Sequence, residues 1–382
     1  MIGRQISLSI TGRLPDSKVI ILLGPRQAGK TTLLKSLVKG QDRKSLWLNG
    51  DYSDVRELFV HPSAEKFRAV FGDNQLVVID EAQRIEDIGL CLKIMVDEIR
   101  GVKIIASGSS SFELANKVNE PLTGRKWEYT LYPLSIEELF HYSGILEEKR
   151  LLEHRLVYGF YPDVVNNPAD SREILTELAN SYLYKDILTW EKVQKPAALE
   201  KLVQALAFQV GNEVSYHELG KMVGLDNETV ERYIGFLEKA FIVFRLPSFS
   251  RNLRNELNKS RKIYFYDNGL RNAAIQQFSP AGLRSDIGAL WENFLISERI
   301  KYLGNNRIFA NRYFWRTQNQ QEIDYIEERD GILNAFEFKW SPTTKAYLPK
   351  TFQRAYPEHR FEIVNRENYQ GFVCTLERSN VN

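Results

Sequence analysis

Residues 24–31 read Gly24-Pro25-Arg26-Gln27-Ala28-Gly29-Lys30-Thr31, and residues 76–81 read Leu76-Val77-Val78-Ile79-Asp80-Glu81. The first stretch has the spacing G-x-x-x-x-G-K-[ST]. It follows an apolar, partly β-branched run at 18–23, which reads as a strand buried on both faces. It opens a helix-like segment at 31–38. A strand, a glycine-rich turn and a helix in that order make a phosphate cradle. Gly24 and Gly29 allow the tight turn and the close approach of backbone. The loop amides and the helix N-terminus then point at phosphate oxygens. In that geometry Lys30 reaches the β- and γ-phosphates and the Thr31 hydroxyl ligates Mg²⁺. Pro25, Arg26, Gln27, Ala28 and Thr32 complete the expected nucleotide-binding loop. The second stretch is an apolar strand ending in two acids. Asp80 is expected to hold the Mg²⁺ shell, and Glu81 to orient or deprotonate an attacking water. The sequence therefore predicts a site for ATP with Mg²⁺, and hydrolysis there.

Around this pair the first ~140 residues alternate strands and helices, as a parallel sheet requires. Strands are expected at 19–23, 45–49, 76–79, 103–107 and 128–131, and helices at 31–38, 63–71, 88–99 and 112–118. Such a sheet places its ligand site at the C-terminal ends of the strands.

The chain has 382 residues, which predicts more than one domain. A net charge of +2 gives no global signal for nucleic acid, so any basic surface must be local. Two cysteines, Cys91 and Cys374, exclude a disulfide framework and a cysteine-based zinc site. Cys91 lies in an apolar helical stretch and is read as a core residue. No apolar run approaches the ~20 residues of a membrane span, and the N-terminus lacks a signal-peptide core, so a cytoplasmic protein without membrane contact is expected.

Residues 135–196 read as a helical lid or linker, with Ser135 and Glu138 forming a capping box. Residues 197–270 read as a winged helix-turn-helix. Its helices are expected at 199–210, 216–223 and 228–239, Gly224 makes the turn, and strands at 241–246 and 262–266 make the wing. Between 245 and 262 stand Arg245, Arg251, Arg254, Lys259, Arg261 and Lys262 against one acid, Glu256. That segment suits phosphate contacts on DNA; a solvated loop of a protein-packing module is the alternative.

The last ~100 residues form another α/β unit carrying a second group of acids. Glu337 and Lys339 stand two apart on an expected strand and so project to one face. Asp324 on a neighbouring strand is placed to join them, and Glu292 on a helix supplies a further carboxylate. Carboxylates holding Mg²⁺ or Mn²⁺, with a lysine near an attacking water, are equipment for phosphodiester hydrolysis.

Taken together, 24–32, Val78-Ile79-Asp80-Glu81-Ala82-Gln83, Ala106-Ser107-Gly108-Ser109, Leu122-Thr123-Gly124-Arg125 and Leu131-Tyr132-Pro133-Leu134-Ser135 resemble a widespread group of prokaryotic AAA+-type ATPases. That group carries a C-terminal domain of uncharacterised role, which 264–271, 290–294, 322–326 and 336–339 resemble. The resemblance implies an AAA+-like P-loop core at 1–134, the lid, the winged helix, and a fold similar to PD-(D/E)xK nucleases at 280–382. Its nuclease pattern falls on Glu292, Asp324, Glu337 and Lys339, although no proline precedes Asp324. It also implies sensor roles for Ser107 and Ser109. Arg125 falls at the place of an arginine finger, which would make the protein a homo-oligomer. The functions implied are an ATP-driven DNA-related or defence role, or a nucleotide-dependent switch that binds protein partners.

Overall fold

The computed structural model describes residues 2–109, 118, 121–181, 193, 195–250 and 261–375. Two compact units are present. The first holds residues 3–133 with 239–241; the second holds 134–238 and 242–382.

The first unit is built on five parallel strands: β1 (Val19–Leu23), β2 (Ser45–Asn49), β3 (Leu76–Asp80), β4 (Lys103–Gly108) and β5 (Lys126–Thr130). Their order is β2-β3-β4-β1-β5. Every residue of β1, β3 and β4 is buried, as expected of parallel strands covered on both faces. The helix Lys30–Lys39 follows the phosphate loop; its Leu33, Leu34 and Leu37 pack with Ile20, Leu22, Val78 and Ile105. The order matters for function. β4 lies between β1 and β3, so the residues that end β4 sit between the phosphate loop and Asp80. Expected helices at 63–71 and 88–99 appear as Ala64–Phe71, capped by the Ser63 side chain, and Ile88–Glu98. Cys91 is fully buried in the latter. Two short helices that periodicity did not signal, Ile6–Thr11 and Ser53–Leu58, complete the unit. The helix expected at 112–118 lies almost wholly outside the described residues.

The second unit opens with short helices, beginning with Ile136–Ser143, whose Ser135–Glu138 capping box is formed. Then come helices Pro196–Phe208, Tyr216–Val223 and Asn227–Lys239. Gly224 between the last two has φ 74°, and Asp226 accepts from the Thr229 amide at 2.8 Å. An antiparallel sheet ordered β6-β8-β7 joins Glu213–Val214, Arg261–Phe265 and Val243–Pro247. The two-residue β6 was too short to be read from the sequence.

The helix Ile287–Asn305 leads to a four-stranded sheet ordered β12-β11-β10-β9. These are Asn311–Arg316 (β9), Glu322–Arg329 (β10), Ile332–Phe338 (β11) and His359–Val364 (β12). Only β11 and β12 are parallel. That helix buries twelve side chains around its circumference, including Trp291 and Phe294, because it is covered on all sides. Buried ion pairs such as Arg299–Glu327 and Lys301–Glu298 sit inside this unit. No helix among the described residues is long and apolar enough to cross a membrane.

Candidate functional site

The phosphate loop leaves β1 at Gly24, whose added Cβ would lie 2.1 Å from the Leu131 carbonyl oxygen. Only glycine fits there. Gln27 (φ 57°) and Gly29 (φ 93°) occupy the left-handed region and fold the loop back onto the helix. Ala28 is buried, Arg26 half-buried, and Gln27 and Thr32 are exposed. Arg4 buttresses the turn from outside, donating to the Ala28 carbonyl at 2.7 Å and the Tyr132 carbonyl at 2.6 Å.

Lys30 is 5% exposed, and its ammonium donates to the carbonyls of Gly24 at 2.8 Å and Pro25 at 2.7 Å. Two of its three hydrogens thus anchor it across the loop, and a third remains for a phosphate oxygen. Burial lowers its pKa to about 8, opposed by the nearby charges of Glu81 and Asp80.

Asp80 is buried and gripped from both sides. Thr31 Oγ1 donates to Asp80 Oδ2 at 2.8 Å, and Ser107 Oγ donates to Oδ1. This brings together three residues that are far apart in the chain. A threonine hydroxyl beside a fixed carboxylate is a hard oxygen donor set suited to Mg²⁺.

Glu81 has φ 51° and precedes the 3₁₀ turn Ala82–Arg84. The Gly50 backbone packs so closely on it that a Cβ there would meet the Glu81 carbonyl oxygen at 2.5 Å. Its carboxylate is tied by Gln83, whose Nε2 lies 2.5 Å from Glu81 Oε2 and 3.1 Å from Ser109 Oγ. The end of β4 therefore reaches both acids: Ser107 touches Asp80 directly, and Ser109 reaches Glu81 through Gln83. Sequence reasoning singled out the two serines and missed Gln83. The signal was a polar side chain two residues after Glu81.

Arg125 sits at the other edge of the sheet. It precedes β5, whose Lys126 pairs with Val19 at the start of β1, away from the loop that follows Leu23. Its Nε donates to Asp97 Oδ1 at 2.7 Å on the surface. Within its own chain it is apart from Lys30, Asp80 and Glu81.

In the second unit the structure also brings Glu292, Asp324, Glu337 and Lys339 together. Lys339 Nζ lies 2.7 Å from Glu337 Oε1, and the Phe338 amide donates to Asp324 Oδ2 at 2.7 Å. Burial, with the charges of Glu292 and Glu337, raises the Asp324 pKa well above the usual carboxylate range. The sequence did not anticipate Lys262 here. It is 1% exposed, and its Nζ lies 3.0 Å from Glu292 Oε1 and 2.6 Å from Glu322 Oε1. Tyr264 donates to the same Glu292 oxygen. The other Glu292 oxygen lies against Gly211, 3.3 Å from where a Cβ would be. Among the described residues no group of three or more His, Cys, Asp or Glu is arranged to hold a metal ion.

The basic segment 245–262 also differs from expectation. Arg245 pairs with Glu238, Arg261 pairs with Glu231, and Lys262 is buried with its two glutamates. The described cations of that segment thus have carboxylate partners on neighbouring elements, not a free basic face. Arg251, Arg254 and Lys259 lie outside the described residues.

The parallel sheet, its strand order and the Lys30–Thr31–Asp80 grouping make a P-loop NTPase-like core, accompanied by an additional C-terminal sheet domain. Comparison with known proteins agrees. Residues 16–140 match the AAA domain family; 149–281 and 287–377 match two domains of unknown function, DUF8612 and DUF4143. The chain is 28% identical over 344 residues to an uncharacterized protein of Mycobacterium tuberculosis, covering 89% of this chain and 74% of that one. It is 26% identical over 304 residues to an uncharacterized protein of Haemophilus influenzae, covering 72% and 74%. Among solved structures, the Walker-type ATPase PABY2304 of Pyrococcus abyssi is similar in fold, with TM-score 0.50 at 15% identity, covering 72% of this chain and 96% of that one.

Proposed function

We propose that this protein binds ATP at the 24–32 loop and hydrolyses it to ADP and phosphate, using the cycle as a switch that engages a macromolecular partner through its second unit. The observation that carries the reading is the double grip on Asp80 by Thr31 and Ser107, beside the buried Lys30 ammonium. Lys30 holds the β- and γ-phosphates, and its charge offsets the negative charge that moves toward the leaving phosphate oxygen. Thr31 and Asp80 would hold Mg²⁺, which neutralises phosphate charge when bound. Glu81 orients the attacking water and accepts its proton. Gln83 fixes the direction of the Glu81 carboxylate, and Ser109 braces the Gln83 amide. Arg26 adds a second cation to the loop.

The partner is best read as protein. The helix Asn227–Lys239 is preceded by the exposed acid Asp226 and carries the exposed Glu228 in its first turn. These would repel a phosphate backbone. A second reading, DNA engagement, is favoured by the succession of three helices and the β6-β8-β7 sheet, an arrangement consistent with a winged helix-turn-helix. Arg125 in this scheme completes the site of a neighbouring copy in a homo-oligomer.

The test is ATP hydrolysis with Mg²⁺, measured with and without duplex and single-stranded DNA, with gel analysis of that DNA. Hydrolysis lost in Lys30→Ala and indifferent to DNA supports the switch. DNA-stimulated turnover supports the second reading. No hydrolysis by the wild type under any of these conditions refutes both.

A further inference from the structure

The acid group of the second unit has the residue types of a metal-dependent phosphodiesterase site but not the vacancy. A divalent ion bound by carboxylates needs their oxygens bare, at about 2.0–2.6 Å from the metal. Glu292 Oε1 instead accepts from Lys262 Nζ and the Tyr264 hydroxyl, and Glu292 Oε2 is packed on Gly211. Glu322 Oε1 is held by the same ammonium, while Arg316 approaches Glu322 Oε2 at 3.8 Å. On the far side Lys339 covers Glu337, and Asp324 is engaged by the Phe338 amide. Four carboxylates therefore already face three side-chain cations, and the donor set does not fit a further divalent ion.

We propose that Lys262 is the resident cation of this cluster: its ammonium stands where a catalytic metal would stand, so the C-terminal sheet takes no divalent ion and cuts no phosphodiester. The lysine comes from β8, Glu292 from the helix Ile287–Asn305, and Glu322 and Asp324 from β10. One buried ammonium thus joins the three-stranded sheet, the long helix and the four-stranded sheet. Removing it would leave the half-buried Glu292 with the Tyr264 hydroxyl and Glu322 with Arg316 at 3.8 Å, a deficit of positive charge that proteins relieve by protonation or by admitting another cation. A small divalent ion is the natural substitute once the lysine is shortened. This inference concerns the second unit alone and does not depend on whether the phosphate loop hydrolyses ATP.

Mn²⁺ binding to the full-length protein, followed by electron paramagnetic resonance without nucleotide, tests it. Asp80→Ala is carried in every sample to remove binding at the first unit. The expected result is no Mn²⁺ binding that depends on Asp324 while Lys262 is present. Lys262→Ala should gain one Mn²⁺ site, lost again in Lys262→Ala/Asp324→Asn. Mn²⁺ bound with Lys262 intact and lost in Asp324→Asn would overturn the inference, as would a folded Lys262→Ala protein that gains no site. Should Lys262→Ala fail to fold, the comparison of Asp324→Asn with its Lys262-containing parent decides alone.

Discussion

Gln83 Nε2 lies 2.5 Å from Glu81 Oε2, within a turn whose glutamate is held at φ 51°. The amide therefore sets the direction of the carboxylate proposed to orient the attacking water. Replacing it should leave nucleotide binding intact, because no loop contact is lost, and slow turnover by about 10- to 100-fold, less than the roughly 10²- to 10⁴-fold of a positioned proton acceptor because Gln83 acts only through Glu81. Gln83→Ala and Ser109→Ala should be non-additive in kcat, since both act through one amide. Equal kcat in wild type and Gln83→Ala, with unchanged affinity for a fluorescent ATP analogue, would remove Gln83 from this role.

Glu81→Gln separates binding from chemistry. Lys30, Thr31 and Asp80 keep their contacts in that variant, so ATP affinity should stay within about twofold while hydrolysis falls by at least about 100-fold. Rapid filtration with labelled ATP gives the first quantity and phosphate release the second. Turnover at the wild-type rate would assign the water to another group.

Lys30 makes ATP affinity depend on pH. Its pKa in the folded protein is lowered to about 8, chiefly by burial. Below that value the ammonium is charged and attracts phosphate; above it the free protein must take up a proton in order to bind. Affinity should be flat below pH 8 and weaken toward tenfold per pH unit above it. A dissociation constant unchanged between pH 7 and 9.5 contradicts this assignment.

Glu327 is fully buried and holds Arg299 through two contacts, at 2.5 and 2.9 Å, while Tyr325 donates to it at 3.1 Å. Glu327→Ala leaves the Arg299 guanidinium buried without its carboxylate. Such a loss costs about 3–5 kcal/mol, and urea unfolding followed by tryptophan fluorescence, sensitive to Trp291 and Trp315, should show it. A change under about 1 kcal/mol would mean that the arginine finds water or another partner.

The phosphate site was legible because its chemistry is local. Eight consecutive residues fix the loop, and an apolar strand announces Asp80 and Glu81. Ser107 and Ser109 were singled out only through the resemblance to AAA+-type ATPases, at the end of the expected fourth strand. Gln83 was not, since its role depends on the place of β4 between β1 and β3, which no spacing records. Lys262 shows the opposite failure. In sequence it belongs to a basic stretch, yet in the fold β8 is the middle strand of its sheet and turns Lys262 and Tyr264 to one buried face. The carboxylate partners of Arg245 and Arg261 were equally invisible in the sequence, because Glu238 and Glu231 reach them only once the helix Asn227–Lys239 packs beside the sheet.

β1 pairs Ile20 with Ile105 on one side and Trp127 on the other. Both partners are synthesised long after it. A ribosome that has released β3 has already exposed the octapeptide and Asp80, but the strand from which the loop hangs still has two open edges of Val, Ile and Leu. Nucleotide has no seat to stabilise at that stage, and those edges are free to pair with another chain. The hazard ends only when β5 emerges. The open edges of β1 therefore last until its final partner strand emerges, and slow translation before β5 would prolong their exposure.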